Sequence, residues 1–144
     1  MNTVDELLAK LRAKGYRSSR LKRRILEYLT QSQLPMTIPD IMKRLEKDGI
    51  PFNKSSLYRE TDKLLEENII IEIDLLDGIK RYEINNEVHH HHALCVKCRA
   101  VICVEIPNDL EQVEKQLKQK EGFTVNGHVL EFFGVCRRCA GESE

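Results

Sequence analysis

Two pairs of cysteines give the most specific chemical signal in this sequence. Cys95 and Cys98 are separated by two residues, and Cys136 and Cys139 repeat that spacing after a further 37 residues. Each pair can aim two sulfurs at one point, and two such pairs complete the tetrahedral thiolate cage of a structural zinc ion. Two disulfides or incidental thiols are the alternative, which a reducing compartment disfavours. We therefore predict structural zinc on these four cysteines.

A run of four histidines, residues 89–92, lies just before the first cysteine pair. In a strand, alternate side chains share a face, so His90 and His92 would project to one side and His89 and His91 to the other. A His-x-His pair on a strand is a starting point for a metal site, and hydrated histidines on a turn are the alternative. Cys103, on the next predicted strand, would face the His90/His92 pair or be a buried free thiol.

The elements that must position these residues belong to a chain of 144 residues, 41% apolar and 32% charged, which is enough for one domain or two small ones. Its longest apolar run, residues 69–73, is too short to span a bilayer. The N-terminus lacks the basic-then-apolar layout of a signal peptide. We therefore expect a cytoplasmic protein with reduced thiols.

The formal net charge is zero, but the charge is unevenly distributed. Residues 10–59 hold 13 Lys+Arg and 4 Asp+Glu, whereas residues 83–144 hold 7 and 10. A basic half joined to an acidic half rich in metal ligands is typical of a nucleic-acid binder with a control module. An ordinary solvated surface with uneven charge is the alternative.

Apolar residues at helical spacing predict four helices in the first half, the first of them over residues 3–14. The predicted caps of the other three are Ser18 or Ser19, Thr37 and Asn53. β-branched runs at residues 69–74 and 80–84, joined by the turn Leu76-Asp77-Gly78, predict a hairpin. Four helices followed by a hairpin indicate a winged helix-turn-helix, whose last helix enters the major groove of DNA.

The predicted fourth helix turns Leu57, Thr61 and Leu64 inward, which leaves a polar outer face. Hydroxyl and guanidinium groups on that face suit phosphates and base edges, although a solvated face is the alternative for any one of them. Glu60 does not fit this pattern, because a carboxylate close to phosphates is unfavourable. Its side chain would either accept a hydrogen bond from a cytosine amine or point away from DNA. The predicted DNA contacts are Arg20, Ser55, Ser56, Tyr58 and Arg59.

The sequence predicts that the second half is a small α+β module whose two ends are joined by zinc. A module of this size buries little apolar surface, so a metal cross-link would add stability. Residues 100–106 predict a strand, and Asn108 or Asp109 caps a helix that runs to about residue 121. Further strands are predicted at residues 123–125 and 129–135. The predicted inward face of the helix comprises Leu110, Val113 and Leu117.

Taken together, these motifs resemble the ferric uptake regulator (Fur) family over nearly the whole chain. The residues that carry the resemblance are Ser55-Ser56-Leu57-Tyr58-Arg59, Tyr82-Glu83-Ile84, His90-His91-His92-Ala93-Leu94-Cys95-x2-Cys98 and Gly134-Val135-Cys136-x2-Cys139. The resemblance implies a metal-dependent repressor that binds operator DNA as a homodimer. It implies an α+β chain with a winged-helix domain (residues 1–84), a hinge (85–88) and a C-terminal α/β dimerisation and metal-binding domain (89–144).

The resemblance also implies a regulatory metal that fixes the angle between the two winged helices of the dimer. By position, its ligands would be Glu83, His90, His92 and Cys103. The family's additional C-terminal metal site would use His89, His91, Glu111 and His128.

Two departures from the family pattern bear on the regulatory metal. Pro35 or Met36 stands where the family has a histidine near the third helix, and Cys103 replaces a carboxylate. Losing that histidine disfavours a peroxide sensor, whose chemistry oxidises it. A thiolate makes the site softer and favours zinc over ferrous iron. We therefore expect a zinc-responsive repressor, with an iron-responsive one as the alternative.

A reading from another class is a zinc hydrolase with the histidines around an open-site metal. The chain lacks the His-x-Glu and Pro-Cys-x-x-Cys pattern of zinc deaminases, so we expect no enzyme activity. A metal buffer or a purely structural zinc protein is disfavoured by the basic, helix-turn-helix-like half.

Overall fold

The computed structural model describes residues 2–86, 90–107 and 110–142. The chain divides into two compact units, Met1–Val88 and His89–Glu144, called here the first and second units. The four helices and first hairpin belong to the first unit, and the four cysteines of the paired motifs belong to the second. None of the helices in these described ranges is long and apolar enough to cross a bilayer.

Four helices build most of the first unit: α1 (Val4–Ala13), α2 (Arg20–Gln31), α3 (Ile38–Lys47) and α4 (Lys54–Glu66). A side-chain oxygen accepts a backbone N–H in the first turn of each helix, which satisfies a donor that the helix itself leaves open. The residues that do so are Thr3, Ser19, Thr37 and Asn53. The last three caps confirm the predicted ones.

The predicted hairpin is also present, as β1 (Ile70–Asp74) paired antiparallel with β2 (Lys80–Ile84). Met36 adds a short bridge to this hairpin, exchanging two backbone hydrogen bonds of 2.8 and 2.9 Å with Tyr82. The hairpin is thereby tied to the chain just before α3. Four helices with this two-stranded wing confirm the predicted winged helix-turn-helix.

The core of the first unit is made by the apolar stripes of all four helices together with the wing. Ile25, Leu26, Ile41, Leu45 and Leu57 are fully buried in it. On α4, the predicted inward face is confirmed, because Leu57, Thr61 and Leu64 are all buried. The opposite face of α4 therefore lies at the surface.

The second unit contains β3 (His91–Cys95), β4 (Val101–Val104), α5 (Glu111–Glu121) and β5 (Glu131–Gly134). The sheet order is β4-β3-β5, with β3 antiparallel to β4 and parallel to β5. The central strand β3 thus carries two of the histidines and ends at the first cysteine. Both units together confirm the α+β fold class.

For the second unit, one predicted strand was wrong, and the bounds of other elements differ from the predicted ones. Residues 123–125 form no strand in the described part of the chain, because β propensity without a partner strand is not sufficient. The helix begins after Leu110, which makes no side-chain cap, while the predicted caps Asn108 and Asp109 lie outside the described residues. The strands predicted at residues 100–106 and 129–135 are present but shorter, as β4 and β5.

The predicted inward face of α5 was wrong as well. Val113 is 51% exposed and Leu117 is 37% exposed, and no residue of α5 is buried. The apolar spacing is that of an amphipathic helix, but among the described residues of the single chain nothing covers that face. Apolar exposure on this scale is characteristic of a surface that has a partner.

Candidate metal centres and nucleic-acid interface

The four paired cysteines converge on one point in the second unit. One ligand atom from each of Cys95, Cys98, Cys136 and Cys139 lies within 4.8 Å of all the others. The sulfurs of Cys98 and Cys136 are 3.7 Å apart, much longer than a disulfide bond. Four sulfurs at about 2.3 Å from a tetrahedral metal would lie roughly 3.8 Å apart, so the cluster fits such a metal.

The pKa shifts of these thiols indicate what a bound cation would change. Backbone hydrogen bonds from Cys98 first and Cys136 second lower the pKa of Cys95 to about 6. Side-chain hydrogen bonds with Cys136 and Cys98 raise the pKa of Cys139 to about 12. Neighbouring thiols therefore oppose one another's ionisation. A bound cation would remove that opposition and allow all four to coordinate as thiolates.

The cysteine turns also carry basic side chains. Hydrogen bonding and charge attraction to Cys98 raise the pKa of Arg138, which keeps this guanidinium charged beside the sulfurs. Lys97, Arg99 and Arg137 are exposed on the same two turns. Positive charge around four thiolates offsets the net negative charge that a Zn²⁺ ion would leave on them.

The histidines divide between two faces, as the strand period predicts. The rings of His90 and His92 have centroids 4.9 Å apart, and His91 instead lies 5.4 Å from the ring of His128. Cys103 lies opposite His92 in the pairing of β3 with β4, so it shares the His92 face. Cys103 is exposed, which excludes the buried-thiol alternative.

Glu131 also lies beside His92 and was not singled out from the sequence. It is the parallel partner of His92 on β5. Its Oε2 accepts the backbone N–H of His92 at 3.0 Å and is 3.6 Å from the ring Nδ1. At 3.6 Å the carboxylate is beyond hydrogen-bond distance of Nδ1, but its negative charge lies beside the ring, which favours metal binding by the imidazole. Only the register of β3 with β5 reveals this contact.

The other histidine face holds part of the predicted additional site. His91 Nδ1 lies 2.9 Å from the carbonyl oxygen of Leu130, and His128 Nδ1 lies 3.1 Å from Glu114 Oε1. The predicted Glu111 instead pairs with Lys115 at 2.8 Å, which lowers the pKa of Glu111. His89 lies outside the described residues. Glu114, one helical turn further along, was missed.

The remaining predicted metal residues lie in the first unit. Glu83 is half-buried in β2. Pro35 and Met36, at the place of the family's histidine, are both buried, and Met36 is held in the bridge to Tyr82. Neither side chain is a strong metal ligand. Within the predicted hinge, Asn85 donates its backbone N–H to Ile69 at 2.9 Å, and residues 87 and 88 lie outside the described part.

The predicted nucleic-acid interface is a polar surface on α4. Tyr58 is 44% exposed, and Ser55 and Arg59 are exposed. Ser56 is half-buried, and its hydroxyl oxygen accepts from the Arg59 guanidinium at 3.1 Å. Arg20, the first residue of α2, is exposed. All five predicted residues therefore keep polar groups at or near the surface of the first unit.

Glu60, the discordant carboxylate of this helix, is turned away from that surface. Its side chain is 15% exposed and lies 3.5 Å from Nζ of the buried Lys22 on α2. Of the two possibilities raised by the sequence, a cytosine contact and an orientation away from DNA, this ion pair favours the second.

Comparisons with known proteins find one matching family model and several similar regulators. The model described as "Ferric uptake regulator family" matches residues 13–133. The peroxide operon regulator of Bacillus subtilis is 30% identical over 95% of this chain and 93% of its own. The ferric uptake regulation protein of the same organism is 27% identical over 98% of this chain and 97% of its own.

Solved structures show the same fold. The Helicobacter pylori ferric uptake regulator superposes with a TM-score of 0.85 at 24% identity, over 99% of this chain and 97% of that one. A zinc-bound manganese uptake regulator superposes with a TM-score of 0.75 at 28% identity, over 94% of this chain and 99% of that one. The relatives differ in the signal after which they are named: peroxide, iron or manganese.

Proposed function

Because the chain belongs to the ferric uptake regulator family of metal-responsive DNA-binding repressors, we propose that it represses metal-homeostasis genes in response to zinc. It is a transcription regulator and not an enzyme. The observation that carries the choice of zinc is the pairing of Cys103 with His92. A thiolate added to two imidazoles would make a softer donor set than imidazoles and carboxylates alone, and softer sets favour zinc.

The first part of the proposal is a permanent zinc ion on Cys95, Cys98, Cys136 and Cys139. The sulfur spacing supports it, because it fits a closed tetrahedral site with no position left for a substrate. When bound, zinc would supply a cross-link between the end of β3 and the chain after β5. A small unit with no buried residue on its helix gains stability from such a link.

The second part is a regulatory metal on Glu83, His90, His92 and Cys103. The shared face of the last three, all in the second unit, supports their assignment. Glu83 is assigned by resemblance to the family. The possible additional site retains His89, His91, Glu111 and His128 as its proposed ligands, and Glu114 joins this list because it contacts His128.

The third part is assembly as a homodimer through the second unit. Exposed apolar side chains on α5 and β5 support this, since a monomer gains nothing from exposing them. They include Val113, Leu117, Phe132 and Phe133. Two copies would present two α4 helices to the two successive half-sites of an operator. The proposed location of the protein is the cytoplasm, where it would meet DNA.

In this proposal, metal binding regulates the protein because it is linked to DNA binding by a coupling free energy. Metal binding would favour the arrangement of the two winged helices that fits the operator. Each ~1.4 kcal/mol of that preference raises the apparent DNA affinity about tenfold. Arg20, Ser55, Ser56, Tyr58 and Arg59 are the proposed DNA contacts.

An iron-responsive repressor is the second candidate, favoured by the 27% identity to a ferric uptake regulation protein. A peroxide-responsive repressor is a third candidate, with 30% identity to a peroxide operon regulator, but buried Pro35 and Met36 stand where its histidine is expected. DNA-binding titrations with zinc, ferrous iron and manganese separate these cases. We expect zinc to induce binding at the lowest free concentration. Induction by ferrous iron at a lower concentration would instead support the iron-responsive reading.

A further inference from the structure

Lys22 is a lysine whose charge is buried inside the first unit. Its side chain is 2% exposed, on the face of α2 that packs inward. Its Nζ donates to the carbonyl oxygen of Arg17 at 2.6 Å and lies 5.6 Å from the centre of the Tyr16 ring. A buried ammonium is costly unless it has an opposite charge close by. That charge comes from Glu60 on α4.

Glu60 joins α2 to the middle of α4. Its Oε2 is 3.5 Å from Lys22 Nζ, and its Oε1 is 3.6 Å from Nζ of Lys63, which is 43% exposed. Within the described residues, the buried Oε2 makes no hydrogen bond, so the ion pair is its compensation. Glu60 directly follows Tyr58 and Arg59 in the sequence of α4.

A second connection holds the far end of α4. Glu67, the C-cap of α4, accepts a hydrogen bond from the Tyr16 hydroxyl at 2.8 Å and pairs with Lys14. These two contacts lower the pKa of Glu67, with the Lys14 hydrogen bond as the larger cause. The helix α4 is therefore held at two places, by α2 at Glu60 and by the segment between α1 and α2 at Glu67. Of the two, only the Lys22–Glu60 pair contains a buried cation.

We propose that Lys22 and Glu60 are positioning residues for DNA recognition, which fix the rotation of α4 about its axis. The inference rests on the DNA-binding function proposed above. Apolar side chains on α4 would pack in several similar rotations, whereas an ion pair is compensated in only one. The rotation of α4 decides where Tyr58 and Arg59 meet base edges. Glu60 thus acts on sequence recognition without touching DNA.

This role predicts that loss of the ion pair affects specific and non-specific DNA binding differently. Base contacts depend on the exact placement of α4, while phosphate contacts carry most of the non-specific affinity. Loss of the pair should therefore weaken binding to the preferred sequence and leave non-specific binding unchanged. A general loss of folding would weaken both equally.

The test begins with the metal-loaded full-length protein and a 30-base-pair duplex selected from a random library. Glu60→Gln is expected to bind the selected duplex at least about tenfold more weakly, the loss of one good base contact. Its affinity for a scrambled duplex and the salt dependence of that binding should stay within about twofold of wild type. Equal loss on both duplexes, or no loss on the selected one, would overturn the positioning role.

Matched variants separate this role from a simple structural one. Lys63→Met removes the exposed partner of Glu60 and should stay within about twofold of wild type on both duplexes. Lys22→Arg keeps a cation at the pair and should retain specific binding. The double variant Lys22→Met/Glu60→Met replaces the pair by apolar side chains of similar length, so it should keep the fold. We expect it to show the same loss of specific binding.

Two outcomes distinguish failure here from failure of the proposed function. If wild-type protein selects no duplex at any metal concentration, the DNA-binding function fails, and the positioning role fails with it. If wild type selects a duplex and the folded double variant binds it equally well, only the positioning role fails. A melting curve of each variant shows that the comparison is made between folded proteins.

Discussion

Cys103 and His92 are direct partners in the antiparallel pairing of β3 with β4, so a thiol and an imidazole share one face of the sheet. His90 lies on the same face, with its ring 4.9 Å from that of His92. The Fur family, by the resemblance of the sequence, has a carboxylate at the position of Cys103. Cys103 thus offers a sulfur ligand at a position where the family offers a carboxylate oxygen.

Replacing Cys103 by aspartate should shift the metal preference. A carboxylate is a harder ligand than a thiolate, so the affinity of the site for zinc should fall relative to its affinities for ferrous iron and manganese. We expect the ratio of zinc to manganese affinity to fall about tenfold or more, measured by competition with a chromophoric chelator. An unchanged ratio would show that Cys103 is not a ligand. Cys103→Ser distinguishes the loss of sulfur from the gain of a carboxylate.

Replacing Cys95 by serine should release a tightly held zinc ion. The remaining three sulfurs leave the tetrahedral site open, and Cys95 is itself buried at the end of β3. We expect about one equivalent less zinc by elemental analysis, together with dissociation of the dimer in size-exclusion chromatography. Cys103→Ser serves as the control and should keep that zinc. Full zinc content in the Cys95 variant would contradict the four-cysteine site.

Replacing Glu131 by glutamine should weaken the regulatory metal without removing a proposed ligand. The glutamine can still accept the backbone N–H of His92, but it loses the charge near the ring. Mutation of such a partner of a metal-bound histidine typically lowers metal affinity by about 10- to 100-fold. Isothermal titration with zinc measures the change. Glu121→Gln, at an exposed position on α5, is the matched control. Equal affinity in both variants would remove Glu131 from the site.

The wing offers a stability prediction. Arg81 donates two hydrogen bonds to Asp77, at 3.0 and 2.9 Å, and their side chains are only 5% and 2% exposed. Asp77→Asn leaves a buried guanidinium without its counter-charge, so the free energy of unfolding should fall by about 3 kcal/mol. Urea denaturation measures it. Glu72→Gln breaks an exposed pair with Lys80 and should cost less than about 1 kcal/mol. Similar costs for the two variants would contradict the difference in burial.

The elements of the first unit were predictable because their signals are local. Ser19, Thr37 and Asn53 cap the helices that follow them, and the apolar spacing of each helix matches its buried face. The direction of Glu60 was not predictable, since it depends on Lys22 in another helix. A pattern along one helix shows which side is apolar. It does not show which charge a neighbouring helix presents.

In the second unit, the four cysteines and the two histidine faces followed from spacing alone. Glu131 and Glu114 did not, because each meets its histidine through contacts between distant segments. The exposed face of α5 was misjudged for a related reason: apolar spacing marks a surface to be covered, but not whether the cover comes from the same chain. Val113 and Leu117 are such residues.

The measurement that tests the central claim most directly is DNA binding with and without zinc, for wild type and for His92→Ala. The proposal predicts that zinc raises the affinity of wild type for its selected duplex at least about tenfold, equivalent to ~1.4 kcal/mol of coupling. It predicts no zinc effect in His92→Ala, with the four-cysteine zinc and the melting temperature retained. An equal zinc effect in the two proteins would contradict metal sensing at this face.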